Sequence, residues 1–284
     1  MKLFGIFFAI VHLMIIDPSF ASSSKHEGHG GPVIGLTTSP DKKLLVSTSF
    51  DYSVLVWQLG ELRELQQLSG HEAAVNVAKF STSGKLLATA GDDAKIFLWH
   101  FKKSDSFLEN KIILNDHTAK IVDIDFSKDE QFLASASWDH SIKIWNIKTG
   151  KVVKSIEGHK GPVNSVKFSD DGQYLYSAGY DGTIRYWRIS DGQEVRTLVD
   201  NGWGINVLTV DETENLLLYG TIDGLMKLQT LNNKDVFLEI WEEGAPISAL
   251  NYYPEYQKAV FGTTKGRIIF IDLSGMRIEK DFLA

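Results

Sequence analysis

From Val33 onward, short runs rich in β-branched and aromatic residues alternate with clusters of Gly, Asp, Asn and Ser. One stretch shows the pattern in full. VNSVKF (Val163–Phe168) is followed by the turn SDDG, then YLYSAG, the turn YDG, TIRYWRI and finally EVRTL. Runs of this kind are too short for a stable helix, and their bounding turn formers mark them as strands. Strands joined by such short turns have to be antiparallel. The pattern therefore predicts a unit of four antiparallel strands.

That unit recurs. LLVSTSFDYSVLVW ends at Trp57, LLATAGDDAKIFLW at Trp99, FLASASWDHSIKIW at Trp145 and YLYSAGYDGTIRYW at Trp187, at spacings of 42, 46 and 42 residues. His29, His71, His117 and His159 keep the same step, and so do Asp51, Asp93, Asp139 and Asp181. First-strand anchors at Val33, Val75, Ile121, Val163, Ile205 and Ile247 carry the phase through six units, which begin near residues 29, 71, 117, 159, 201 and 243. A lone four-stranded sheet has two faces and can bury neither. Stacking such sheets around an axis solves this for every copy at once. The expected fold is all-β: a β-propeller of six four-stranded antiparallel blades, or a seven-bladed ring lacking one blade.

Within SASWDHSIKIW, the serine, aspartate and histidine invite a hydrolase reading. The members of a catalytic triad converge from different elements, however. His140 also has Tyr52, Ala94 and Gly182 at its equivalent positions, so the repeats do not share it. The chain reads as a non-enzyme.

GH…SWD…IW and GH…SAGYD…YW resemble WD repeats, and the likeness spans almost everything after residue 28. It implies a hydrogen-bonded tetrad in each blade: His29, Ser47, Asp51 and Trp57; His71, Thr89, Asp93 and Trp99; His117, Ser135, Asp139 and Trp145; His159, Ser177, Asp181 and Trp187. Physical chemistry favours such a set, because a buried indole N–H needs an acceptor and the hydroxyl is one. In the fifth unit Asp223 remains, with Asn201, Tyr219 and Gln229 in the other places. In the sixth, Glu243, Phe261, Lys265 and Ile271 replace all four, so both blades are expected to keep the strand pattern with apolar packing instead of the polar network.

The resemblance also implies a docking face. The residue before each turn aspartate borders the central opening in such rings, and here these are Phe50, Asp92, Trp138 and Tyr180, then Ile222 and Thr264. Trp203 lies near the same face. Aromatic anchors dominate binding hot spots, although packing between blades would account for these residues equally well. The opening HGGPV (His29–Val33) is similar to that of exported bacterial WD-repeat proteins that often carry a c-type cytochrome tail. No Cys-x-x-Cys-His is present. The expected function is a protein-interaction scaffold of the cell envelope, with an accessory role beside a separate c-type cytochrome as the second reading.

Composition narrows the picture further. A net charge of −7 argues against a nucleic-acid partner, which needs a basic stripe. The absence of cysteine excludes disulfides, thiolate-held clusters and a cysteine nucleophile. MKLFGIFFAIVHLMIIDPSFASSS reads as a secretory signal over residues 1–21, followed by a flexible leader over 22–28 and the propeller over 29–284. Its apolar run, Leu3–Ile16, is shorter than the roughly 18 residues a permanent membrane anchor needs. The expected location is therefore exported, in the periplasm or secreted. His26 and His29 of HEGHGG form at most a metal pair, and His29 is already in phase with the blade histidines, so neither metal nor cofactor is expected. HFKKSDSFLENK, after Trp99, holds the four extra residues of the longer period and reads as a solvated loop.

Overall fold

The computed structural model describes residues 28–101, 111–232, 236–241, 244–275 and 277–283. Residues 1–27, which hold the expected signal and most of the leader, lie outside that set, as do residues 102–110 of the expected loop and Glu243.

Six four-stranded antiparallel sheets follow one another along the chain. Blade one contains β1 (Val33–Thr38), β2 (Leu44–Ser49), β3 (Val54–Gln58) and β4 (Arg63–Leu68). Blade two contains β5 (Val75–Phe80), β6 (Leu86–Gly91), β7 (Lys95–His100) and β8 (Lys111–Asn115), and blade three β9 (Ile121–Phe126), β10 (Phe132–Ser137), β11 (Ile142–Asn146) and β12 (Lys151–Ile156). Blade four is β13 (Val163–Phe168), β14 (Tyr174–Gly179), β15 (Thr183–Arg188) and β16 (Glu194–Asp200). Blade five is β17 (Ile205–Asp211), β18 (Leu216–Thr221), β19 (Leu225–Thr230) and β20 (Val236–Trp241). Blade six is β21 (Ile247–Tyr253), β22 (Lys258–Thr263), β23 (Arg267–Asp272) and β24 (Arg277–Leu283). A single 3-10 turn, Pro254–Tyr256, is the only helical piece among the described residues.

The core lies between blades. Val46, Val54 and Val56 of blade one pack on Leu87, Phe97 and Trp99 of blade two. Ala88, Ile96 and Leu98 of blade two pack in turn on Leu133 and Trp145 of blade three. The same joint recurs between blades three and four, four and five, and five and six. Alternation along each strand gives every blade two apolar faces, and each neighbour covers one of them. Five apolar clusters thus join six blades, and no sixth joins blade six to blade one among the described residues. Val33 shows the result. Its five equivalents, Val75, Ile121, Val163, Ile205 and Ile247, are each 0% exposed, whereas Val33 is only half-buried.

One irregularity recurs in all six blades. Pairing of the first strand with the second skips the residue after each anchor: Ile34, Asn76, Val122, Asn164, Asn206 and Ser248. A bulge re-aims the unpaired side chain, and the three asparagines among them use that freedom. Asn76 Nδ2 donates to the Ile121 carbonyl at 2.9 Å, Asn164 Nδ2 to that of Ile205 at 3.0 Å and Asn206 Nδ2 to that of Ile247 at 3.1 Å. Each bond ties one blade to the anchor of the next.

Val122 cannot form such a bond, and two aspartates join blade three to blade four instead. Asp123 accepts from Ser165 Oγ at 2.7 Å and Val166 N at 3.0 Å, while Asp125 accepts from Phe168 N at 2.8 Å. Asp125 also pairs with Lys79 and, at 3.6 Å, with Lys167. Burial alone would raise the Asp125 pKa, but the two ammonium groups outweigh it and hold the carboxyl below its usual range.

Candidate interaction face

The turn between the second and third strands of each blade is built in the same way. The residue after the turn aspartate sits at left-handed φ: Tyr52 at 70°, Ala94 at 59°, His140 at 73° and Gly182 at 78°. His140 is exposed and shapes this turn, while His117 is the ring that meets Asp139.

In blade three His117 Nδ1 lies 2.7 Å from Asp139, His117 Nε2 lies 2.7 Å from Ser135 Oγ, and Trp145 Nε1 donates to Ser135 Oγ at 2.8 Å. A carboxylate only accepts, so Nδ1 carries the proton and Nε2 is free to accept from the serine. Blade four repeats the chain through Asp181, His159, Ser177 and Trp187 at 3.0, 2.7 and 2.7 Å. Blade two does so through Asp93, His71, Thr89 and Trp99 at 2.8, 2.9 and 3.0 Å. In blade one the bonds among Asp51, His29, Ser47 and Trp57 measure 3.2, 2.7 and 2.8 Å.

Backbone amides complete each carboxylate's shell. Thr118 N and Ser141 N both donate to Asp139, for example, at 3.1 and 3.0 Å. Burial pushes the pKa of these aspartates up, yet the donated hydrogen bonds win. Asp51 is held at about 2, and Asp93, Asp139 and Asp181 also lie below the ordinary carboxylate value. Each of the four carboxylates takes hydrogen bonds from its own blade. These bonds tie the turn to the loop before the first strand.

Blades five and six fill the same volume differently. Tyr219 and Phe261 are each 1% exposed, Ile271 is also 1% and Gln229 4%. Thr221 donates to Asp223, but Asp223 Oδ2 and Asn201 Nδ2 are buried without a partner.

The residue before each turn aspartate lies outside the tetrads, and its main chain is held the same way in every blade. Phe50 N donates to the Pro32 carbonyl at 3.0 Å, and the amides of Asp92, Trp138, Tyr180, Ile222 and Thr264 make the same bond to Ala74, Lys120, Pro162, Gly204 and Pro246. The six positions are therefore equivalent, one in each blade. Phe50 is 56% exposed, Trp138 42% and Tyr180 52%. Trp203, 56% exposed, joins this set through the close approach of Gly204 to Tyr180 and Ile222. Trp138 also borders the central cavity, and Lys120 Nζ sits 3.4 Å from the centre of its ring. Asp92 accepts from Asn76 Nδ2 at 2.8 Å, which couples the rim to the bulge beneath it.

The asparagine bridges and the Lys79–Asp125–Lys167 cluster were not read from the sequence. The signal for the bridges is plain once the bulge is known: VN, VN and IN open three of the six first strands. Among the described residues, no group of three or more acidic or histidine side chains converges as a metal site would require.

Comparison with known proteins fits this geometry. The family model for the WD domain, G-beta repeat, matches residues 21–58, 62–100, 109–146 and 150–188, together more than half of the chain. A chromatin assembly factor 1 subunit FAS2 homolog from Oryza sativa subsp. japonica is 32% identical over 139 residues, covering 45% of this chain and 28% of that protein. Transcription initiation factor TFIID subunit 5 of Caenorhabditis elegans is 30% identical over 142 residues, covering 50% of this chain and 21% of that protein. The U5 small nuclear ribonucleoprotein 40 kDa protein of Dictyostelium discoideum is 33% identical over 100 residues, covering 35% and 27%. The chain thus spans roughly a quarter of the length of these relatives.

These names correct the expected location. Relatives named for chromatin assembly, transcription initiation and a small nuclear ribonucleoprotein point away from an exported, periplasmic protein. The likeness to exported bacterial proteins rested on five residues of the first repeat, and hydropathy over residues 1–21 records apolar character, not an address. None of these three names refers to a cell envelope or a cytochrome. With six repeated blades, four hydrogen-bonded tetrads and a family model matched over most of both, this chain belongs to the WD-domain, G-beta repeat family.

Proposed function

We propose that this chain is a non-enzymatic scaffold that docks a protein partner on the channel rim through Phe50, Asp92, Trp138, Tyr180 and Trp203. One observation carries this reading. Phe50, Asp92, Trp138 and Tyr180 are pinned by the same main-chain bond, Trp203 stands beside Tyr180, and four of the five side chains are aromatic and about half exposed. Large aromatics held on a rigid frame lose little entropy on binding and bury much area. Had these rings served to pack blades together, they would be buried as Trp145 and Trp187 are, at 2% each. The net charge of −7 favours a protein over a nucleic acid as the partner. Relatives named as subunits of chromatin assembly and transcription initiation factors favour a partner that belongs to a multi-protein complex.

The test is affinity capture with the tagged chain, comparing wild type with the Trp138→Ala/Tyr180→Ala variant and identifying bound proteins by mass. The expected result is loss of the captured partner at an unchanged melting temperature, because exposed substitutions shift stability by about 0.5 kcal/mol or less. A variant that melts earlier yet captures the same protein would assign the rings to packing and overturn the reading.

A further inference from the structure

Lys79 on β5 and Lys167 on β13 both reach Asp125, which stands on β9 between them. They meet the same oxygen, Oδ1, so the two ammonium groups stand side by side. Acceptors are scarce around them. Asp125 Oδ2 is taken by Phe168 N at 2.8 Å, and Asp123 Oδ2 by Ser165 Oγ and Val166 N at 2.7 and 3.0 Å. Each ammonium has three N–H bonds to donate, and a shared carboxylate oxygen uses only part of that capacity. The electrostatics carry the same imbalance. Burial opposes the charge on both lysines, and although Asp125 and Asp123 hold Lys167 above its usual pKa, Lys79 is left below its own. One carboxylate is too little counter-charge for two ammonium groups.

Both lysines line the central cavity, which has a volume of about 550 Å³. Asp125 is not part of its wall, and Asp123 is the only carboxylate on that wall among the described residues. The lysine side chains are 31% and 23% exposed against 12% for Asp125, so the wall here is lysine more than carboxylate. Val77, Val122 and Val207 add apolar surface to the same cavity.

We propose that the central cavity binds a phosphate group, free or carried on a small organic molecule, between Lys79 and Lys167. A phosphate presents several acceptor oxygens and more than one negative charge, so it engages both ammonium groups at once through charge-assisted hydrogen bonds. The volume falls in the range of small-molecule sites, and the valines suit an uncharged organic body, which favours a phosphomonoester over the free ion. The site does not depend on partner docking. It is built on first strands, and Trp138 is the one residue it shares with the proposed docking set.

Isothermal titration calorimetry of the full chain with phenyl phosphate, inorganic phosphate and succinate tests the assignment. Phenyl phosphate should bind saturably at one per chain and more tightly than inorganic phosphate. Equal binding of the two keeps the site and gives it to the free ion. Lys79→Gln and Lys167→Gln should each weaken binding at least tenfold. Lys143→Gln should leave it unchanged, since Lys143 pairs with Asp116 and does not line the cavity. Asp125→Asn removes the competing charge and should tighten binding several-fold, and phosphate should raise the melting temperature of this variant more than that of wild type. A purely structural cluster would give no such gain, and this readout does not require the lysine variants to fold. Absence of saturable binding, full binding by either lysine variant, unchanged affinity in Asp125→Asn, or succinate binding as tightly as phosphate overturns the proposal.

Discussion

Blades three and five have the same strand order and the same bulge, yet they hold their turns by opposite means. In blade three, Trp145, Ser135, His117 and Asp139 pass hydrogen bonds from core to surface with every partner in place. Blade five puts Gln229, Tyr219 and Asn201 in those positions, packs Tyr219 into the core and leaves Asn201 Nδ2 and Asp223 Oδ2 buried and unpaired. Both sheets form all the same. The fold is therefore set by strand pattern and by apolar joints between blades, and the polar tetrad is one of two ways to fill a volume those joints enclose. What the tetrad adds is satisfied polarity. An unpaired buried group costs about 1–3 kcal/mol, so the fifth blade carries a penalty that the third does not.

The largest expected effect tests the joint itself. Trp145→Ala removes a side chain buried between blades two and three and should cost about 3–5 kcal/mol in urea unfolding. Trp57→Ala, at the unmade joint, should cost less than half of that. Equal losses would mean that the tetrad, not the neighbouring blade, gives tryptophan its value.

Next comes the network. Asp139→Ala strands the donors of His117, Thr118 and Ser141 and should cost about 1–3 kcal/mol. Asp223→Ala should cost under about 1 kcal/mol, because one of its oxygens is already unpaired. A reversal of this order would break the comparison.

Acid should separate the blades in a third way. Asp51, Asp93, Asp139 and Asp181 have native pKa values below the unfolded value of 3.8, so their contribution to stability is fully present above about pH 4. It is lost as pH falls through the native values, with Asp51 titrating at about 2. Stability measured between pH 4 and 2 should fall, and it should fall less steeply in Asp139→Asn.

The smallest effect concerns the turn. Ala94 is held at φ 59°, where a side chain costs about 1–2 kcal/mol, and Gly182 occupies the same place in blade four. Ala94→Gly should therefore raise stability by up to about 1 kcal/mol. A thermal melt is sufficient to check the sign.

Much of the architecture was legible because it is periodic. Val163–Phe168 and Tyr174–Gly179 are strands over the very residues the alternation marks out, and six anchors in phase give six blades. Apolar filling of the last two blades was also readable, since Tyr219 and Phe261 stand where a serine or threonine stood in earlier units. The bulge was not readable. It is a property of how two strands pair, and a single run of residues does not show which one its neighbour will skip. Asn76, Asn164 and Asn206 were overlooked for that reason, as was Asp125, whose lysine partners come from two other blades. Phe50, Trp138 and Tyr180 could be ordered along the chain, but their shared main-chain bond to the preceding loop could not be read from it.

The reach of these contacts along the chain bears on how the protein is made. Each tetrad histidine meets an aspartate 22 residues later, and each bulge asparagine grips a carbonyl 41 to 45 residues on. No described joint waits for the two ends to meet. A nascent polypeptide of this kind can set one sheet against its predecessor as soon as the next forty-odd residues have left the ribosome. Loop closure then costs the same modest entropy at every addition.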